Sequence, residues 1–64
     1  MNQALQNIVE IRRFLSSAEF AIENADAVAA ECALELASHY FRDARNEVRV
    51  AARKALRERN RAAR

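Results

Sequence analysis

The sequence predicts an all-α fold: a helical hairpin, with a short N-terminal helix and a long C-terminal one, that assembles with its own copies into a homo-oligomeric helical bundle. Three observations predict it. Glycine and proline are both absent, and these residues make the tight turns of β-hairpins and the phosphate-cradling loops. Fifteen alanines, with many Leu, Glu and Arg, supply high helix propensity along nearly the whole chain. Apolar residues also recur at every seventh position over long stretches, the spacing of helices that pack side by side.

The N-terminal segment carries the first such pattern. Met1, Ile8, Leu15, Ile22, Ala29 and Leu36 alternate with Ala4, Ile11, Ala18, Ala25, Cys32 and His39, which predicts a packing seam along one side of the first helix. An unbroken helix of 64 residues would be about 96 Å long at 1.5 Å per residue, so a turn is expected, and two places compete for it. At Asn24-Ala25-Asp26, Asn24 suits the left-handed end of one helix and Asp26 the cap of the next. At Ser16-Ser17, Ser16 and Glu19 match a capping box, and Leu15 and Phe20 a hydrophobic staple, which together mark a helix start at Ser17.

A second seam begins before the first ends. Phe20, Ala27, Leu34, Phe41, Val48 and Ala55 form one row, accompanied by Ala30, Ala37, Ala44 and Ala51. From about Phe20 to Phe41 both sides are apolar, so this stretch must be covered on two faces. The predicted oligomer interface is therefore Ile8, Ile11, Leu15, Ile22, Leu34, Leu36, Phe41 and Val48. Phe14, Phe20 and Phe41 lie on apolar rows and are expected in the core, with Tyr40 near the surface.

The final helix is basic. Tyr40 to Arg64 holds nine bases against three acids, whereas Met1 to His39 holds two arginines against six acids. The chain reads as a single helical domain, 1–64, with an acidic oligomerisation half, 1–39, and a basic amphipathic helix, 40–64. At 100° per residue Arg42, Arg45, Arg49, Arg53, Arg57, Arg61 and Arg64 occupy an arc of about 160°, opposite Phe41, Ala44, Val48, Ala51, Ala52, Ala55 and Ala62. Asp43, Glu47 and Glu58 stand at helical spacing from these arginines and are expected to pair with some of them.

Length argues for assembly. A 64-residue chain buries too little apolar surface to offset its conformational entropy comfortably. Miniature folds rely on disulfides, a structural metal or oligomerisation. One cysteine, Cys32, makes no internal disulfide and no zinc-finger spacing. No run approaches the roughly 18 to 20 apolar residues of a membrane span, the start Met1-Asn2-Gln3 has no signal-peptide character, and a lone thiol fits a reducing compartment. The expected location is the cytoplasm, of a cell or of an infected host cell.

The chemistry that these residues offer is binding. Evenly spaced guanidinium groups bridge carboxylate or phosphate oxygens with a fixed fork of donors, so Arg42, Arg45, Arg49, Arg53, Arg57 and Arg61 are the predicted anion- or partner-binding residues. Glu31, Glu35, His39 and Asp43 recur at four-residue intervals, but bundle metal sites use Glu-x-x-His. His39 reads as a seam-edge histidine hydrogen-bonded to Glu35, so no metal and no cofactor is expected. Cys32 and the serines lack an orienting base and an oxyanion-binding loop, and no enzyme activity is expected. The surface between Ala44 and Arg64 is too alanine-rich to anchor in a membrane.

Two functions remain. The first is a non-enzymatic protein-interaction module, a regulator or inhibitor that binds a larger protein; in general character it resembles the small adaptors and inhibitors of viruses and mobile elements, although no residue motif ties it to a family. The alternative is a nucleic-acid-binding protein that uses the arginine face.

Overall fold

The computed structural model describes residues 1–63. Arg64, the last arginine of the predicted face, lies outside the described residues. The chain forms two helices, α1 (Asn2–Glu23) and α2 (Ala27–Ala62), packed against each other as a hairpin. There is no strand among the described residues, and no helix is long and apolar enough to cross a membrane. The molecule is a rod 58 Å long and 15 by 13 Å across.

The turn falls at Asn24-Ala25-Asp26. Asp26 N–H donates to Ala21 O at 2.8 Å and Ala25 N–H to Ile22 O at 3.0 Å, the paired bonds of a Schellman ending. That ending needs one left-handed residue, and it is Ala25, at φ 57°, rather than Asn24. Asn24 stays at φ −95°, where its Nδ2 donates to Phe20 O at 2.8 Å. Asp26 then serves the next helix, accepting Ala29 N–H on Oδ1 at 3.1 Å, so one residue closes α1 and caps α2. A single three-residue connection satisfies both helix ends.

At Ser16-Ser17 the helix does not break. The residues that face α2 run through this point without a change of phase, so a helix start there would sacrifice two turns of interhelical packing for one cap.

The seam differs from the one read off the large side chains. The seam is formed on α1 by Ala4, Asn7, Ile11, Phe14, Ala18 and Ala21, with Glu10 half-buried at its edge, and on α2 by Ala30, Ala33, Ala37, Tyr40, Ala44, Glu47 and Ala51. Apart from Glu10, both rows follow strict alternating steps of three and four. Each helix has turned by about one position from the expected seam, and small residues meet in the middle. Ala4, Ala18, Ala21, Ala30, Ala33, Ala37 and Ala44 make the apolar interior, and the one larger buried residue is Asn7. Side chains this small let two backbones approach near the lower end of the usual spacing of about 8 to 10 Å.

Large apolar residues are correspondingly outside. Ile8, Leu15, Ile22, Leu34, Phe41 and Val48 are all exposed, as are Phe20 and Leu36. Of the phenylalanines expected in the core, Phe14 alone is partly covered, and it stacks on Tyr40. Buried Asn7 is hydrogen-bonded, accepting Gln3 Nε2 on Oδ1 at 3.3 Å, which offsets its desolvation. A lone asparagine in a heptad seam also resists sliding of one helix along the other.

The two arms are unequal. The amino group of Met1 lies 3.5 Å from Glu47 Oε1, and Ala51 is the last half-buried residue of α2. Every described residue after it is exposed. Residues 52–62 thus extend past the start of α1 as a free helical arm about 16 Å long at 1.5 Å per residue.

Candidate interaction surfaces

The first surface is apolar and spans both helices. Ile8, Leu15 and Ile22 follow one another at seven-residue steps on α1, flanking the alanine seam, and Leu34, Phe41 and Val48 do the same on α2. The antiparallel course of the helices brings these rows to one side. A groove of about 270 Å³ marks where they meet, lined by Ala4, Ile8, Phe41, Ala44, Arg45 and Val48. Phe41 is 58% exposed and Ile22 64%, so most of each side chain faces water.

Two of the eight predicted interface residues do not join this surface. Ile11 is half-buried in the seam between the helices. Leu36 belongs to another side of α2, where it lines a depression of about 280 Å³ with Cys32, Glu35 and His39. Cys32 is exposed in that depression rather than packed in a seam. His39 makes no hydrogen bond to Glu35 among the described residues; the nearest local bond is from Ser38 Oγ to Glu35 O, at 3.0 Å. No group of three or more His, Cys, Asp or Glu is placed to hold a metal ion among the described residues.

The second surface is basic. Arg42, Arg45, Arg49, Arg53, Arg57 and Arg61 are all exposed. Because Ala37, Tyr40, Ala44 and Glu47 face α1, the 100° step places these arginines on the side of α2 turned away from it. Four-residue spacing advances the ridge by about 40° per step, so it winds from the edge of the apolar groove at Arg45 toward the opposite flank at Arg61. Along the free arm, Arg53 and Arg57 flank exposed Leu56 in an open depression.

The ridge is not neutralised from within. The ion pairs among the described residues are Met1 amine with Glu47, and Arg13 with Glu10 at 3.2 Å. Neither involves an arginine of α2. Glu47, expected to pair along its own helix, lies on the seam row and reaches across to the chain terminus instead. The closing turn of α2 also carries Arg59 and Arg61, which complement the negative end of the helix dipole.

Cys32 and His39, expected on the seam, both stand exposed beside Glu35. A one-position rotation of the helix moved them outside. Comparisons with protein-family models, with curated proteins and with solved structures find no match.

Proposed function

We propose that this chain is a non-enzymatic protein-interaction module, a small regulator or inhibitor that occupies a surface on a larger protein. One observation carries the reading: the hairpin closes on alanines and leaves Ile8, Leu15, Ile22, Leu34, Phe41 and Val48 in water. Burying such side chains is worth about 1.5 to 3 kcal/mol each when complete, and a hairpin that leaves them out forgoes that stabilisation until another chain supplies the cover. Contiguous apolar surface of this kind, edged by charge, marks a contact site. The apolar face holds helices of another chain, while the arginine ridge meets carboxylates on the target. The setting is the cytoplasm of a cell or of an infected host cell.

Affinity capture from the source cells with the tagged full chain tests this. A stoichiometric protein should be recovered, and it should be lost when Arg49, Arg53 and Arg57 are changed to Glu. Recovery of no protein by the unaltered chain counts against the reading.

A second reading, binding of nucleic acid, is favoured by the six exposed arginines that have no carboxylate within 4.0 Å among the described residues. If all six contact phosphates, the log of the affinity for labelled duplex DNA falls with log salt at a slope of about −5, from about −0.9 per phosphate. Absence of binding at low salt removes this alternative.

A further inference from the structure

We propose that the apolar face is closed by a second copy of this chain, packed face to face and antiparallel, so that the turn of one hairpin lies beside the open end of the other. This rests on the interaction reading above only in that the apolar face is a contact site, and it assigns that face to a second copy in place of a larger protein.

The need for a cover comes from the interior. Seven alanines and Asn7 are the buried residues of the hairpin, and a core of that size leaves a short chain with little to set against its conformational entropy. The cover must therefore be present wherever the chain folds. A second copy meets that condition.

Geometry makes the face self-complementary. Phe41 lies in the middle of the α2 row, and the level midway between Ile8 and Leu15 on α1 comes close to it, since the contacts of Met1 with Glu47 and of Phe14 with Tyr40 bracket that level from either side. A two-fold axis across the face at that level sets Phe41 against the partner's Phe41, Val48 against the partner's Leu34 and Ile8 against the partner's Leu15. Each large side chain meets another, which is how an isologous contact closes.

Charge selects the orientation. The turn half of the hairpin has a surplus of acids and the open half a surplus of bases. With the axis at Phe41, Arg49 comes level with the partner's Glu31 along the outer edge of the face, and the free arm of α2 reaches the level of the partner's acidic turn at the partner's Asp26. The parallel alternative sets both basic ends side by side and both acidic ends side by side. At a Debye length of about 8 Å such rows of like charge repel across the rim of the contact, and opposite rows attract.

Two measurements on the full chain test the proposal. Sedimentation equilibrium should give twice the 7.3 kDa mass of one chain, and Phe41→Glu should reduce it to one. For orientation, a nitroxide is placed at Lys54→Cys in a Cys32→Ala background. Lys54 lies thirteen residues past Phe41, about 20 Å, so antiparallel copies hold the labels about 40 Å apart and parallel copies within about 20 Å. The short distance overturns the orientation, and a mass of one chain, or of three or more, overturns the pair. If the chain is monomeric but Phe41→Glu abolishes capture of a different protein, the interaction reading stands with a foreign occupant. If neither self-association nor capture occurs, both fall.

Discussion

Phe14 and Tyr40 stack across the hairpin, with ring centroids 5.6 Å apart and planes inclined by 23°. They occupy seam positions that are mostly alanine elsewhere, at a level where the two helices run side by side. Both rings are half-buried, so the contact contributes through ring against ring more than through complete removal from water. In a double-mutant cycle, Phe14→Ala and Tyr40→Ala should each lower stability, with a coupling of about 0.5 to 1.5 kcal/mol. Denaturant unfolding at fixed chain concentration measures it, and strictly additive losses would show that the rings act separately.

Ala25 holds the left-handed position of the turn, at φ 57°. An L-residue with a Cβ is strained there by about 1 to 2 kcal/mol, a cost that glycine avoids. Ala25→Gly should therefore raise the melting temperature by several degrees, about 4 to 8 °C per kcal/mol for a chain of roughly this size. Ala25→Val should lower it. A glycine variant that melts earlier than the natural chain contradicts the geometry.

Asp26 accepts the Ala29 amide at 3.1 Å. Asp26→Ala removes that bond and should cost about 1 kcal/mol, whereas Asp26→Asn keeps an accepting oxygen and should cost a few tenths at most. Equal losses in the two variants, read by thermal unfolding, would mean that the cap oxygen contributes nothing.

Ala18 is the most buried residue of the hairpin, at 2% exposure. Leucine at this position has no space unless the helices separate, and overpacking of this kind costs about 1 to 3 kcal/mol. Ala52 is exposed, one residue past the last half-buried position of the seam, so Ala52→Leu should leave stability nearly unchanged. A neutral Ala18→Leu would show that the two backbones lie farther apart than the alanines require.

The helical class was legible in the sequence from the lack of glycine and proline, and the turn was narrowed to two places, because a capping box at Ser16-Ser17 and the Asn24-Ala25-Asp26 cluster are both local signals and only packing of α1 along α2 chooses between them. Which residue takes the left-handed conformation was not legible. Asparagine is the usual substitute for glycine there, but Asp26 must stand three residues before Ala29 and also bond back to Ala21, and this register assigns the strained place to Ala25. The packing face was misjudged for a related reason. Side-chain size normally signals the core, so Ile8, Leu15 and Ile22 drew the seam toward them, whereas the rows that meet are built on Ala4, Ala18, Ala30, Ala37 and Ala44. Those alanines were visible at heptad spacing all along; nothing local declares that small residues will outrank large ones. The basic ridge was readable because it depends on helical periodicity alone, which a rotation of the seam by one position does not alter.

An interior floored with alanine reverses the customary map of mutational tolerance. Inner positions accept one side-chain size and little else, so among descendants of this sequence they should stay constant. Outer aliphatic and aromatic positions change only in step with whatever they meet. Evolution can thus retune what the hairpin holds on to without rebuilding the hairpin, provided that its narrow gauge is kept.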